Sequence, residues 1–255
     1  MRISINIVVA AILVVIAVNL PFNLIIAVAI FYNVYAMLIS LIPMKIRGYD
    51  NDGMGVFMLI TSEDARRGYF LYITLSHDLA SGKRYKDFNT DEFRYNHDSK
   101  LNSGPVSYLV ICSAKRKYDM GDHEGSFADL SQLNVKKLHP AYANLVKLDM
   151  LYYYVVHKQD HVKATSLYND KQLQKYFAAT AINVSTLRTL AAYEYFVEGN
   201  TKAAMDKMSR ALERIEAVAT SKHATKFMEQ EYCIKLISLL DEHAGCSRWG
   251  RACCC

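Results

Sequence analysis

The sequence contains little proline and little glycine, with four prolines and eleven glycines among its 255 residues. Because turns and irregular loops rely heavily on these two residues, their scarcity argues against a loop-rich or all-β protein. The glycine-rich phosphate loop and the Gly-x-Ser-x-Gly nucleophile turn are both missing. A net charge of +5 is too small to indicate nucleic acid as a partner. The composition therefore favours an all-α protein.

Cysteine is scarce in the body of the chain. Four of the six cysteines lie within the last ten residues, and the others are Cys112 and Cys233. Two well-separated thiols suit a reducing compartment, so we expect the soluble part of the chain to be cytoplasmic. The cysteine-rich tail, 244–255, lacks the C-terminal lipidation pattern, and its three adjacent thiols cannot surround one tetrahedral metal. We predict that this tail is disordered.

Charge is absent between Arg2 and Lys45, and this stretch is strongly apolar. A helix needs about 20 apolar residues to cross a bilayer core, so the stretch has the length of two spans. The sequence Asn19-Leu20-Pro21-Phe22-Asn23 divides it, because proline interrupts a helix and disfavours helix at the residue before it. We predict a transmembrane helical hairpin within residues 1–60, with spans at about Ile3–Val18 and Phe22–Ile42.

The cations lie outside this hairpin, with Arg2 before it and Lys45 and Arg47 after it. Because cytoplasmic loops carry an excess of Lys and Arg, both ends are expected to face the cytoplasm, with the hairpin in the lipid bilayer of the cell membrane. A secretory signal peptide is the alternative, but its apolar core of about 7–15 residues is much shorter than this stretch.

Residues 61–103 are expected to connect the hairpin to the rest of the chain. The hydroxyl and acidic side chains of Thr61-Ser62-Glu63-Asp64 predict a helix start, and the helix is expected over Glu63–Leu79. Residues 83–104 are polar and lack periodicity, so we predict a linker there. The apolar stripe of this amphipathic connector helix is predicted to contain Phe70, Leu71, Ile73 and Leu75.

The pattern of apolar residues is helical throughout residues 104–243, and it repeats. Three turns, at Gly121-Asp122, Asp160 and Gly199-Asn200, are spaced by about 38 and 40 positions. An aromatic-rich helix precedes each turn, and a second helix follows it. Glycine and asparagine accept the left-handed geometry of such turns. The small side chains of Ala204 and Ala211 would let the third pair of helices approach closely.

The third pair, from Gly199 to Leu212, closely resembles the turn and second helix of a tetratricopeptide repeat. The resemblance implies a tetratricopeptide-like helical-repeat domain, although the usual period of about 34 residues is shorter than the spacing here. Tyrosine rings in a concave groove of such a domain would suit a protein or peptide partner. A last helix, at about Ala224–Glu242, is expected to cap the stack. Its predicted buried stripe consists of Phe227, Tyr232, Ile234, Ile237 and Leu240.

Histidines occur beside two of these turns. Gly121-Asp122-His123-Glu124 is expected to be a turn with a solvated His123 and Glu124. His157 and His161 have the i, i+4 spacing of a metal-ligand pair, but they lie on opposite sides of the turn at Asp160. We therefore favour solvated turn residues over metal ligands at His123 and Glu124, and we do not expect His157 and His161 to form a metal-ligand pair.

A further group of residues lies in and after the second predicted span. Asn33 lies within the span, Leu41-Ile42-Pro43 closes it, and Asp52-Gly53 follows. This arrangement resembles the C-terminal half of the site-2 protease family of intramembrane zinc metallopeptidases. The resemblance implies that Asp52 would be the third zinc ligand and Asn33 a polar group near the active site, although Ser40 stands where a second asparagine is expected. It implies a bacterial membrane-protease half joined to a cytoplasmic helical-repeat domain.

The family's catalytic His-Glu-x-x-His sequence is missing, and the first histidine of the chain is His77. A catalytic zinc takes three protein ligands and a water, so one carboxylate does not hold it, and we expect no catalytic residue and no zinc unless the missing half is supplied. For Asp52 the alternative is an N-cap ahead of Met54–Ile60. Two functions remain open: a site-2-protease-like membrane protein that is inactive as this chain, and a membrane-tethered helical-repeat module that binds a protein or peptide.

Overall fold

The structure, a computed structural model, describes residue 15 and residues 24–46, 49–97, 100–217 and 224–244. The fold is all-α, which confirms the predicted class. A short antiparallel ribbon joins β1 (Lys45–Ile46) to β2 (Tyr49–Asp50), with Lys45 opposite Asp50. The α-helices are α1 (Leu24–Leu41), α2 (Asp52–Thr61), α3 (Glu63–Ala80), α4 (Gly104–Asp119), α5 (His123–Ser131), α6 (Pro140–Tyr153), α7 (His161–Tyr168), α8 (Lys171–Ala179), α9 (Val184–Phe196), α10 (Thr201–Ala217) and α11 (Ala224–Ala244).

Helix α1 coincides with the second predicted span, Phe22–Ile42. It has 18 residues, which corresponds to a length of about 27 Å, whereas the hydrocarbon core of a bilayer is about 30 Å thick. Within the described ranges, no helix combines the length and the apolarity needed to cross a membrane. The first predicted span, Ile3–Val18, lies outside the described residues except for Val15.

Helix α3 begins where the sequence predicts, with the Ser62 hydroxyl accepting a hydrogen bond from the amide of Ala65. Its buried face differs from the predicted stripe, because Phe70 is 68% exposed and Ile73 is 58% exposed. Residues three or four positions apart share one face of a helix, and the face toward α4 is the one that contains Leu71 and Leu75. Phe70 and Ile73 therefore lie on the opposite side of α3.

The predicted linker is instead a folded segment that packs on the helical body. It contains the 3-10 turns Tyr85–Asp87 and Thr90–Phe93. Phe88 and Phe93 are buried in the same apolar cluster as α3, and their rings meet edge to face at 5.6 Å. Arg84 forms ion pairs with Asp119 and, at 2.6 Å, with Glu231. These contacts are absent from any local sequence pattern, which is why the polar composition indicated a linker.

Three helix pairs, α4–α5, α6–α7 and α9–α10, follow the spacing of the predicted turns. In each turn one residue adopts a positive φ and the next residue has a side-chain oxygen that caps the second helix. Asp122, Asp160 and Asn200 accept hydrogen bonds from the amides of Gly125, Lys163 and Ala203 at 2.8, 3.1 and 3.1 Å. The preceding residues with positive φ are Gly121 (+86°), Gln159 (+51°) and Gly199 (+66°).

The two alanines of the third pair, Ala204 and Ala211, are fully buried between α9 and the rest of the core. The second pair has an extra feature, since α6 continues as a π-helical turn, Tyr154–Lys158, before Gln159. Helix α8 lies between the second and third pairs in the chain. The structure is thus a set of helix–turn–helix units of unequal length, compatible with a helical-repeat arrangement.

Helix α11 does not simply cap the end of the stack. Met228 and Tyr232, near its start, join the cluster that contains residues of α3 and α4, whereas Leu236 and Leu240 join the cluster of α6 to α10. Two members of the predicted stripe, Phe227 and Ile234, are 50% and 48% exposed. Because α11 contacts helices from both ends of the array, a different face of the helix is buried. Residues 245–255 of the predicted disordered tail lie outside the described residues.

Candidate functional site

The Asp52-Gly53 motif lies where α1 meets α2. Asn51, not Asp52, is the N-cap of α2: its Oδ1 accepts from the amides of Met54 (2.9 Å) and Met44 (3.1 Å), while its Nδ2 donates to the carbonyl of Ile42 (2.7 Å). The expectation that Asp52 caps the helix was therefore wrong. Asn51 ties the end of α1 to the beginning of α2 and fixes the backbone on both sides of Asp52.

Asp52 is the first residue of α2, and its Oδ2 is buried with no hydrogen-bond partner among the described residues. It borders a groove of about 710 Å³ whose other lining residues include Tyr72, Pro105, His139 and Tyr142. Across the described ranges, no three His, Cys, Asp or Glu residues come together as metal ligands. The groove therefore contains Asp52, the carboxylate that the resemblance assigns as a zinc ligand. The described residues do not provide the other ligands of a zinc site.

Asn33 is half-buried on α1, and its Nδ2 donates to the carbonyl of Ala29 at 3.0 Å, one turn earlier in the same helix. This hydrogen bond gives the amide a local structural partner. Asn33 does not belong to the residues that line the groove at Asp52. The structure thus does not bring the two residues of the resemblance into one pocket of the described residues.

A second cavity, of about 200 Å³, lies inside the helical body. The first helix of each pair contributes to it, since α4, α6 and α9 provide Tyr118, Tyr152 and Arg188. Helix α5 and the N-terminal half of α11 enclose it from other sides, with Phe127 and Tyr232 among their contributions. The aromatic-rich helices that the sequence marks therefore meet at one place, and α4 and α6 contribute the rings of Tyr118, Tyr152 and Tyr153 to the lining of the cavity.

Arg188 is the central charged group of this cavity. Its side chain is 7% exposed, its Nε donates to Oε2 of Glu229 at 3.1 Å, and its guanidinium lies over the rings of Tyr152 (4.4 Å) and Tyr232 (5.2 Å). Burial opposes the positive charge, but the attraction of Glu229 keeps the pKa of Arg188 well above its usual value. The guanidinium is therefore charged at every accessible pH. Nη1 has no hydrogen-bond partner in the described part of the chain.

Lys115 and Asp149 form a second ion pair in the cavity wall, with Nζ and Oδ2 3.1 Å apart. Burial opposes the charge of Lys115, but Asp149 outweighs this effect and raises the pKa of Lys115. The wall therefore presents two cations and two carboxylates. Both carboxylates already have a cation as partner, whereas Nη1 of Arg188 and Nδ1 of His123 are buried with no hydrogen-bond partner in the described part of the chain.

His123, at the edge of the cavity, is stacked on His157 with ring centroids 4.0 Å apart. His123 is half-buried, so the prediction of a solvated histidine was wrong; Glu124 is exposed, and it accepts hydrogen bonds from Tyr153 (2.6 Å) and Lys158 (2.8 Å). Burial lowers the pKa of both histidines, and repulsion from Arg188, and from His123 once it is protonated, helps to lower the pKa of His157 to about 4. Both rings are therefore neutral at pH 7. His161, by contrast, begins α7 on the far side of the turn and is exposed.

The stacked histidines predict a loss of stability in mild acid. His157 has a folded pKa of about 4, and an unfolded histidine has a pKa of about 6.5, so the unfolded state binds the proton first. Stability that is present above pH 6.5 should fall as the pH drops from 6.5 toward 4. Urea unfolding of the chain at a series of pH values measures this decline. In the variant His157→Phe, which keeps the ring contacts, stability should decline less steeply with falling pH. His77→Gln is the control, at a site whose side chain is 86% exposed, and its stability should decline as steeply as that of the unchanged chain. An equal decline in all three proteins would contradict the assignment.

The sequence predicts the turns and a groove lined by tyrosines, but it does not predict which residues line the cavity. Gly121, Asp122, Asp160, Gly199 and Asn200 all lie at helix turns, and none of them lines the cavity. The signal that was available is the spacing of the aromatic residues before each turn, because equivalent positions of paired helices face the same side of an array. Arg188 gives no such signal, since a lone arginine in a helix is usually exposed.

Comparisons of the chain with known protein families, with curated proteins and with solved structures give no match. The functional interpretation therefore depends on the geometry of these two places and on the chemistry of their side chains.

Proposed function

We propose that this protein is a membrane-tethered helical-repeat module that binds a protein or peptide partner in the cavity at Arg188. The observation that carries the proposal is the cavity itself, which is lined by aromatic rings and holds a buried arginine with an unused donor. Binding sites are typically concave and largely apolar, with a few polar groups that fix the orientation of the ligand. The cavity has this composition, and the first helix of every pair contributes to it.

Tethering is supported by the apolar character of the N-terminal part. Large apolar side chains are exposed on α1 and α2, among them Phe31, Leu38 and Ile60, and on the outer face of α3, with Phe70 and Ile73. Extended apolar surfaces of this kind mark contacts with a membrane or another protein. The cations Arg2, Lys45 and Arg47 favour a cytoplasmic location for the body. Contact with lipid would remove these side chains from water.

The test of this function is peptide binding to the full chain in lipid nanodiscs, measured with a random peptide library and confirmed with single synthetic peptides. Thr225 is an exposed residue at the edge of the cavity, so Thr225→Trp should block the opening and weaken binding by about tenfold or more. Gln230 is exposed on the same helix and does not line the cavity, and Gln230→Trp should leave binding unchanged. Failure of every peptide to bind, or equal binding by both variants, would refute the proposal.

A second candidate function follows from Asp52. We propose that Asp52 becomes a zinc ligand when a segment with His-Glu-x-x-His is supplied by a longer chain or a second polypeptide. The buried Oδ2 without a partner in the described residues supports this role, because an unpaired buried oxygen is costly unless something binds it. The chain alone should contain no zinc and should not cleave a transmembrane reporter. With the segment supplied, Asp52→Asn should remove one equivalent of zinc; unchanged zinc content would argue against this role.

A further inference from the structure

The donor left over at Arg188 restricts what the cavity can bind. A buried guanidinium N–H group without an acceptor is unfavourable, and it is more unfavourable for a charged group than for a neutral one. Nη1 of Arg188 is in this state within the described part of the chain, although Glu229 occupies Nε of the same side chain. A ligand that supplies a hydrogen-bond acceptor to Nη1 therefore gains more binding free energy than the same ligand would gain at an exposed arginine.

We propose that the cavity binds the carboxylate of an aromatic or branched aliphatic acid, with Nη1 of Arg188 as the donor to the carboxylate. This inference rests on the proposed function insofar as the acid is the C-terminal residue of a peptide. The same chemistry could come from a free small acid. Both sources present one carboxylate beside one apolar side chain.

The choice of a carboxylate follows from the charges of the wall. Lys115 and Arg188 balance Asp149 and Glu229, so an acid adds a single negative charge to a balanced set. A phosphate monoester would add nearly two charges beside two carboxylates, which is much less favourable. A neutral carbonyl would accept a hydrogen bond from Nη1, but only an anion adds the attraction between two opposite charges to that hydrogen bond.

We infer an apolar side chain for the ligand from the volume of the cavity and from the apolar residues of its wall. A cavity of about 150 Å³ can hold a benzene ring, so the observed volume of about 200 Å³ has room for one ring or branched chain and a carboxylate. The surfaces available to the ring are Phe127, Leu130, Leu145 and Met228, together with the faces of the tyrosines. Ring-to-ring contacts of this kind stabilise an aromatic ligand further.

Calorimetric titration of the full chain in nanodiscs tests the inference with N-acetyl-phenylalanine and its amide, which differ in the anionic oxygen alone. The acid should bind about tenfold more tightly, or better, because the amide keeps a carbonyl acceptor for Nη1 but loses the attraction between the carboxylate and the guanidinium. Equal affinities, tighter binding of the amide, or no binding of either compound would overturn the proposal. This comparison needs no variant, so it does not depend on the folding of a mutant.

A second pair of probes, a pentapeptide ending in phenylalanine as the free acid and as the amide, separates the two sources. Preference for the acid peptide supports both proposals. Binding of the small acid without any peptide binding supports the carboxylate site and refutes the peptide function. Peptides that bind equally as acid and amide support the peptide function and overturn the carboxylate site.

Two variants connect the preference to Arg188. The double variant Arg188→Gln/Glu229→Gln removes both charges of the pair together, and it should abolish the preference for the acid over the amide. Arg214→Gln changes an exposed arginine of α10 and should leave the preference unchanged. A preference that persists in a folded double variant would show that another group binds the carboxylate and would overturn the role of Arg188.

Discussion

Replacement of Gly53 by alanine is expected to free α2 from α1 and to cost about 3 kcal/mol of local stability, since inserted atoms that meet backbone cannot be accommodated by a rotamer change. A Cβ atom at Gly53 would lie 2.2 Å from the carbonyl oxygen of Leu41 and 2.9 Å from that of Ser40. Hydrogen exchange of the α2 amides in the full chain measures the effect. These amides should exchange about a hundredfold faster in the variant.

The matched control lies two residues further along the same helix. A Cβ at Gly55 would meet no atom within 4 Å among the described residues. Gly55→Ala should therefore leave exchange unchanged or slow it, because alanine favours a helix by about 1 kcal/mol over glycine. If both variants accelerated exchange equally, the close approach of α1 and α2 would not be the cause.

Gly53 also shows what the sequence could and could not predict at the first site. The Asp52-Gly53 pair was recognisable as a motif. The structure shows why glycine is needed there, because the backbone at Gly53 lies against the carbonyls at the end of α1. The side chain of Asn51 holds the two helices together by hydrogen bonds, including those with Met44 and Ile42. From the sequence alone, either Asn51 or Asp52 could be the N-cap of α2. The position of α1 determines that Asn51 is the cap.

The helices themselves were predictable because their signals are local. Ser62 precedes acidic residues, and the turn residues before α5, α7 and α10 combine left-handed geometry with a capping oxygen. The buried face of a helix cannot be predicted from local signals when apolar residues occur on several sides of the helix. In α3 both Phe70 and Leu71 are apolar, and the position of α4 determines that Leu71 is buried. Helix α11 was misjudged for the same reason.

The polar contacts that close the body were beyond the reach of sequence patterns. Asp119 is an example: its buried carboxylate pairs with Arg84 and accepts from the hydroxyl of Tyr232 at 3.0 Å. These partners are far apart in the chain, so no motif joins them. The cavity has the same character, because its wall is assembled from residues between Tyr85 and Tyr232. A site of this kind becomes visible only when the helices are placed against one another.

Replacement of Arg188 by methionine should lower the free energy of unfolding by about 3–5 kcal/mol, the usual cost of leaving a buried charge without its partner. Glu229, whose side chain is 15% exposed, would then have no cation at 3.1 Å, and the contacts of the guanidinium with the rings of Tyr152 and Tyr232 would be lost. Urea unfolding of the full chain measures the change.

The double variant Arg188→Met/Glu229→Met determines whether the cause is the unpaired charge. Replacing a buried ion pair by apolar residues of similar volume is often nearly neutral, so the double variant should recover most of the loss. Arg210→Met is the control, because the pair with Asp206 in α10 is exposed on both sides and 3.8 Å long, and it should cost less than about 0.5 kcal/mol. If the double variant were as unstable as the sum of Arg188→Met and Glu229→Met, the two residues would contribute independently, and the loss in Arg188→Met would not come from an unpaired Glu229.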